Sequence, residues 1–172
     1  MVRGMLRKLP DVPEITCAAS LAHHGLLGPV ASMKLHYVDL TSVPEAHLAA
    51  LVSSVTRSVY IQHVGRGLVT ILDNVTCAEL YLSGQSLDRE ETGALMRAMD
   101  TRVEELTLEG GWLSLVLAMA ALTQSSGQGR CRVVTCYEDT AARHREELGA
   151  WARSRNWEVT QDNDYFVRIE RR

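Results

Sequence analysis

The amino-acid sequence predicts a single α/β domain in which strand-and-helix units stack as a solenoid around a parallel sheet. Two observations lead to this prediction. A pattern in which one apolar residue is followed at +3, +5, +8 and +10 by further small or apolar residues recurs along the chain. Most copies are followed by a segment whose apolar residues recur at helical spacing. Repeats that each carry one strand and one helix bury a continuous core only when they stack on their neighbours.

Five copies of the pattern can be traced, and their first residues stand at intervals of 26, 21, 26 and 28 positions. They begin at Val30, Thr56, Cys77, Val103 and Cys131. The residues at +3 and +5 of each copy fall within a short run that favours a strand. We therefore expect one parallel sheet in sequence order, with strands at residues 33–36, 59–62, 80–83, 106–109 and 133–136.

Capping signals mark the helices between these strands. Ser42 stands three positions before Glu45, and Asp88 stands three positions before Glu91, which is the spacing of a capping box in both cases. Between the second and third strands only a short apolar run, Leu68 to Leu72, is present, and it predicts a single helical turn.

Both ends of the chain are predicted to cover the solenoid core. Residues 14–27 favour a helix, and residues 157–169 favour a β-hairpin that closes the edge of the sheet. We therefore expect one domain over residues 1–172, with an N-terminal helical cap (1–29), five repeats (30–153) and a C-terminal cap (154–172).

The pattern resembles the leucine-rich-repeat family, and its units are similar to the ribonuclease-inhibitor-like C-terminal repeats of NOD-like innate immune receptors. This resemblance covers roughly residues 30 to 160. It implies a short horseshoe that acts as a non-catalytic protein–protein interaction module, in innate immune recognition or signalling. The position where the family often has Asn or Cys is occupied here by Val38, Val64, Gln85, Gly111 and Asp139. A three-layer doubly wound fold is the alternative, because it also alternates strands with helices.

A binding surface is expected on the concave face of the sheet. Neighbouring side chains of a strand point to opposite faces, so the residues between the core positions must face outward. This predicted face consists of Lys34, His36, Tyr60, Gln62, Glu79, Tyr81, Glu105, Thr107, Glu109, Thr135 and Tyr137. Tyrosine is enriched in interface hot spots, and the three glutamates form an acidic strip. The expected partner is a protein with a basic or amphipathic surface.

Arginines near the C-terminus form an alternative, basic site. Its candidates are Arg143, Arg153 and Arg155, in a region that also carries Arg145, Arg168, Arg171 and Arg172. Such a site would bind nucleic acid or another acidic ligand. The net charge of −3 gives no general attraction to nucleic acid, so nucleic acid is not the expected partner.

Composition and the four cysteines point to the cytoplasm. The longest apolar stretch, Trp112 to Leu122, is shorter than a membrane span requires, and the N-terminal residues do not form a signal peptide. Four widely spaced cysteines favour reduced thiols in a cytoplasmic protein. The sequence leaves the oligomeric state open.

No residue pattern predicts catalysis, a metal or a cofactor. Cys131 and Cys136 are five positions apart, whereas zinc ligands are usually closer, so we expect both to be buried. A cysteine nucleophile formed by Cys17 with His23 or His24 is the alternative, within an unrecognised hydrolase or transferase, but no orienting third group accompanies it. We therefore expect no enzyme activity.

Overall fold

The computed structural model describes residues 12–84, 86–109, 129–137, 142–162 and 165–172. Its helices are α1 (Val12–His23), α2 (Glu45–Ser53), α3 (Leu68–Asn74), α4 (Arg89–Thr101) and α5 (Ala142–Ser154). Its strands are β1 (Val30–His36), β2 (Val55–Gln62), β3 (Glu79–Ser83), β4 (Glu105–Glu109), β5 (Val133–Tyr137), β6 (Trp157–Asp162) and β7 (Phe166–Arg171). Within these ranges no helix is long and apolar enough to cross a membrane.

The strands form one seven-stranded sheet in the order β1-β2-β3-β4-β5-β7-β6. The pairings from β1 to β5 are all parallel, so the sequence order predicted for these five strands is confirmed. The register keeps equivalent residues side by side, and Leu35, Ile61 and Leu82 lie on one line across the sheet. The last two pairings, of β7 with β5 and with β6, are antiparallel.

The prediction of a leucine-rich-repeat solenoid is wrong, because the fold is α/β with a mixed sheet and the last strands do not stack in sequence order. A solenoid adds each unit beside the preceding one, but β7 lies between β5 and β6. The burial of β7 gives the physical reason. Val167 and Ile169 lie opposite Cys136 and Val134 and are buried, so β7 extends the apolar row at the edge of the parallel strands.

One face of the sheet carries the core. A single cluster of buried side chains joins the helices to two rows of strand residues on this face. These strand residues are Met33, Leu35, Val59, Ile61, Leu80, Leu82, Leu106, Leu108, Val134, Cys136, Val167 and Ile169. From the helices, Leu48, Ile71 and Leu95 belong to the same cluster. Cys77, Cys131 and Cys136 are free thiols buried in it, as expected from the sequence.

The two capping boxes predicted from the sequence have different outcomes. At α4 the box is confirmed, because the Asp88 carboxylate accepts a hydrogen bond from the Glu91 N–H and the Glu91 carboxylate accepts one from the Asp88 N–H, both at 2.9 Å. At α2 the predicted box is wrong, since the N-cap residue is Pro44 and no side chain caps the helix. Asp39 instead accepts hydrogen bonds from the Thr41 N–H and hydroxyl, which fixes a turn before the helix.

The first three strands are followed by a residue in the left-handed backbone region. These residues are Tyr37, His63 and Gly84, with φ values of 50°, 49° and 57°. The rings of Tyr37 and His63 stack with their centroids 4.9 Å apart. At the third position a Cβ atom would lie 2.6 Å from Nε2 of His63. Glycine is therefore needed at position 84 both for its backbone conformation and to leave room for the imidazole.

Replacing Gly84 with Ala is expected to lower the free energy of unfolding by about 1–2 kcal/mol from the left-handed backbone alone, and by more if the stacked His63 ring cannot move. Chemical denaturation measures this change. Gly65→Ala is the matched control, because its Cβ would meet Asp39 at an ordinary 3.9 Å, and we expect a change within about 0.5 kcal/mol. Equal stability of the two variants would contradict the geometry described at the end of β3.

Candidate functional site

The strand residues that face away from the core form a second surface, here called the open face. It comprises Lys34, His36, Tyr60, Gln62, Glu79, Tyr81, Glu105, Thr107, Glu109, Thr135 and Tyr137, together with Phe166 and Arg168 of β7. All eleven residues predicted from the sequence for the concave face therefore lie on one face. That they bind a ligand stays a prediction.

Aromatic rings run across the open face as a ladder. The rings of Tyr60 and Tyr81 stack with centroids 4.7 Å apart, because the parallel register places them directly opposite each other. Tyr81 and Tyr137 are 6.5 Å apart, and Tyr137 lies 5.5 Å from Phe166. At the β1 end the ammonium of Lys34 lies 5.6 Å from the centre of the Tyr60 ring, within cation–π distance.

Two of the three glutamates in the predicted acidic strip have arginine partners. The carboxylate of Glu79 lies 3.6 Å from the guanidinium of Arg57, and that of Glu105 lies 2.9 Å from Arg168. Arg168 also pairs with Glu170 at 2.8 Å. From the sequence, Arg168 is one of the C-terminal arginines and is not predicted on this face. The alternation of Val167, Arg168 and Ile169 is the signal that gives its orientation, once β7 is known to extend the sheet.

The third glutamate, Glu109, has hydroxyl partners. Its carboxylate accepts a hydrogen bond of 2.8 Å from the Ser83 hydroxyl and one of 3.3 Å from the phenol of Tyr81. Burial and the negative charge of Glu109 together raise the pKa of Tyr81 to about 12. Glu109 itself is exposed, so its carboxylate remains accessible from solvent.

A groove of about 350 Å³ lies at the centre of the open face, between Lys34, Tyr60, Glu79, Tyr81 and Thr107. Its walls combine aromatic rings with a carboxylate and hydroxyls. Beside it on the same row, Thr135 is buried, and its hydroxyl has no hydrogen-bond partner among the described residues. The open face can therefore offer both stacking surfaces and polar contacts to a ligand.

Three segments of the chain that carry arginines meet at another place, the end of the sheet where β5 begins. We call Arg130, Arg132, Arg153, Arg155, Arg171 and Arg172 the arginine edge. The Arg171 N–H donates to the carbonyl of Arg132 at 2.9 Å, and the Arg172 N–H donates to the carbonyl of Asn156 at 3.0 Å. The end of β7 is thereby fixed to the start of β5 and to the turn that follows α5.

Acidic side chains pair with Arg130 and Arg172. Arg130 contacts Glu104 at 2.5 Å, and Arg172 contacts Glu158 at 3.2 Å. Arg171 is held by the carbonyl of Gly129 at 2.5 Å and by the Trp157 ring, whose centre lies 5.1 Å from the guanidinium carbon. Arg132 and Arg153 are exposed.

The structure brings together only part of the basic site predicted from the sequence. Arg153 and Arg155 lie at and just after the C-terminal end of α5, whereas Arg143 lies in its first turn. Arg153 stands ten positions after Arg143 in the helix, and this places the two residues about 15 Å apart along the helix axis. Arg143 therefore does not belong to the arginine edge. Arg171, one of the C-terminal arginines considered from the sequence, does belong to it, and so does Arg132, which was not predicted.

The residues considered for cysteine chemistry lie elsewhere. Cys17 is exposed on α1, and burial raises the pKa of Cys77 to about 11 and that of Cys131 to about 12, so these two thiols stay protonated at neutral pH. The ring of His23 stacks on His47 with centroids 4.3 Å apart. Burial, followed by the charges of His23 and His24, lowers the pKa of His47. Within the part of the chain that the structure describes, no group of three or more His, Cys, Asp or Glu side chains is placed to hold a metal ion.

Comparison with known proteins gives a single weak likeness. No family model and no curated protein matches the chain. Among solved structures, TrmK from M. capricolum in complex with its natural cofactor product, S-adenosyl-homocysteine, matches with a TM-score of 0.37 and 13% identity. The match covers 91% of this chain and 67% of TrmK.

The functional predictions based on the leucine-rich-repeat resemblance must be corrected. The prediction of a non-catalytic interaction module in innate immunity was based on a solenoid fold. The mixed sheet contradicts that fold. The prediction that the chain is no enzyme belonged to the same interpretation and loses its basis with the solenoid. We withdraw these predictions. A likeness at this TM-score and identity carries no argument for an activity of this chain.

The raised pKa of Tyr81 is open to direct measurement. The ultraviolet absorbance of tyrosinate, recorded during alkaline titration of the protein and of Tyr81→Phe, gives the titration of this phenol as a difference. We expect a midpoint near pH 12. In Glu109→Gln the midpoint should fall, because a neutral amide no longer opposes the phenolate. A midpoint near 10 in the parent protein would contradict the described environment of Tyr81.

Proposed function

We propose that the chain binds nucleic acid, and that the arginine edge contacts its phosphates. The observation that carries this proposal is that backbone hydrogen bonds bring the segments of Arg132, Arg155 and Arg171 together at one end of the sheet. Guanidinium groups are suited to phosphate because they remain charged and offer paired N–H donors.

The negative charge of the whole chain does not oppose this proposal. Lys and Arg number 18 against 21 Asp and Glu, which gives −3 overall. Exposed charges separated by more than about 10 Å interact weakly at ordinary ionic strength, so the local balance of charge matters more than the total. Among the described residues, six arginines lie at the arginine edge, where the neighbouring acidic residues include Asp100, Glu104 and Glu158. This local balance of charge favours a polyanion.

Two contacts support a preformed site. The guanidinium of Arg171 is held between the Gly129 carbonyl and the Trp157 ring, and the Trp157 side chain is itself buried in the core. An arginine held in place before binding loses less conformational entropy when it contacts a phosphate. The side chains of Arg132 and Arg153 are exposed, and the guanidinium of Arg153 lies back along α5 beside Gly149.

A cytoplasmic location belongs to the same proposal. The buried thiols of Cys77, Cys131 and Cys136 are not joined in disulfides, which suits a reducing compartment.

Binding of a labelled single-stranded DNA oligonucleotide, followed by fluorescence anisotropy between ~50 and ~200 mM salt, tests the proposal. Each phosphate contact to a single strand contributes about 0.7 to the slope of log affinity against log salt. The variant Arg153→Ala/Arg155→Ala should therefore bind more weakly and lose up to about 1.4 from this slope.

The control is Arg66→Ala/Arg89→Ala, which removes two exposed arginines away from the arginine edge and changes the net charge equally. It should retain the affinity and the slope of the parent protein. Equal losses in the two variants, or binding that does not depend on salt, would show that the arginine edge is not the binding site.

A further inference from the structure

We infer that Tyr81, Glu109 and Tyr137 form a recognition site for an arginine side chain, presented by a basic segment of a partner protein that lies across the open face. This site is separate from the arginine edge and does not depend on the proposed nucleic-acid binding. The groups that support it are an accessible carboxylate, two aromatic rings beside it and the charge distribution around them.

Glu109 provides the carboxylate of the proposed site. Glu79 and Glu105 are each matched with an arginine of the chain itself, Arg57 and Arg168. Within the described ranges, the ion pairs do not include Glu109, whose hydrogen bonds come from two neutral hydroxyls. These hydroxyls hold the carboxylate in position without neutralising its charge. Glu109 is therefore the acidic group of the open face that is available to a cation from outside.

Two tyrosine rings lie beside this carboxylate. Tyr137 lies directly opposite Glu109 in the register of β4 and β5, and its side chain is 37% exposed. It packs on Phe166, with ring centroids 5.5 Å apart, and this contact supports its orientation. Tyr81 lies on the other side of Glu109, 6.5 Å from Tyr137 between centroids, and donates its phenol hydrogen to the carboxylate. A planar cation over Tyr137 would thus lie within reach of Glu109.

The open face already holds one cation of the chain itself, Lys34. The ammonium of Lys34 lies over the Tyr60 ring at 5.6 Å, at the β1 end of the same aromatic ladder. After burial, the charge of the Glu109 carboxylate is the next largest cause of the raised pKa of Tyr81, and this carboxylate lies between Tyr81 and Tyr137. A cation–π contact and an ion pair reinforce each other when both act on one side chain.

Arginine fits this arrangement better than lysine. Its guanidinium is planar, so it can stack on Tyr137 while its edge donates two N–H groups to the carboxylate of Glu109. An ammonium can make the ion pair but cannot stack in this way. An extended segment with arginine at alternate positions would present these side chains toward the sheet on one of its faces.

A labelled peptide of alternating arginine and serine serves as the probe, and its binding to the full chain is measured by fluorescence anisotropy. We expect Glu109→Gln and Tyr137→Leu each to weaken binding by at least about fivefold, because one removes the ion pair and the other the aromatic surface. Tyr137→Phe should bind like the parent, since it retains the ring. Glu146→Gln is the matched control, because it removes the same charge from an exposed position on α5.

Further probes make the result decisive. A lysine–serine peptide should bind more weakly than the arginine peptide, and a glutamate–serine peptide should not bind. Thermal melting, together with the retained binding of Tyr137→Phe, separates loss of the site from loss of the fold. The inference is overturned if the arginine peptide does not bind, or if Glu109→Gln binds it as well as Glu146→Gln does. It is also overturned if Tyr137→Leu weakens binding of a DNA oligonucleotide but not of the peptide, which would assign these rings to base stacking.

Discussion

The antiparallel pairing of β7 with β5 is the constraint on which the rest of the structure depends. It places Val167 and Ile169 beside Cys136 and Val134, so the buried row of the parallel strands continues across the change of direction. The same pairing turns Phe166 and Arg168 onto the open face and brings Arg171 beside Arg132. One set of backbone hydrogen bonds therefore completes the core and shapes both candidate surfaces.

Folding separates charges that are mixed along the sequence. On the open face, Glu79 and Glu105 are balanced by arginines, whereas Glu109 keeps an accessible carboxylate between two tyrosines. At the arginine edge six arginines are gathered, and Arg130 and Arg172 pair there with Glu104 and Glu158. A chain of net charge −3 can therefore carry two surfaces of opposite preference, since screening limits the distance over which exposed charges act.

Sequence patterns predict the parts of this fold that depend on local spacing. The alternation in β1 to β5 predicts which side chains are buried, and the spacing of Asp88 and Glu91 predicts the capping box of α4. The choice of neighbour for β7 depends on contacts between residues far apart in sequence, which no repeat period encodes. The tyrosines and glutamates of the open face could therefore be predicted from the sequence. The position of Arg168 on that face, and the meeting of the segments that form the arginine edge, could not. It also could not show that Gly84 is required, because that requirement depends on the position of the His63 ring.

The position of β7 is best tested by cysteine cross-linking, with Cys17→Ser removing the exposed native thiol. Val133 and Glu170 lie directly opposite each other, at a separation of about 5 Å that a disulfide can bridge. Val133 and Glu158 are two strands apart, or about 10 Å, which is too far. We expect Val133→Cys/Glu170→Cys to form a disulfide on mild oxidation and Val133→Cys/Glu158→Cys to remain reduced. A cross-link in the second variant and none in the first would mean that β6 follows β5 directly, which would contradict this account of the sheet and of the arginine edge.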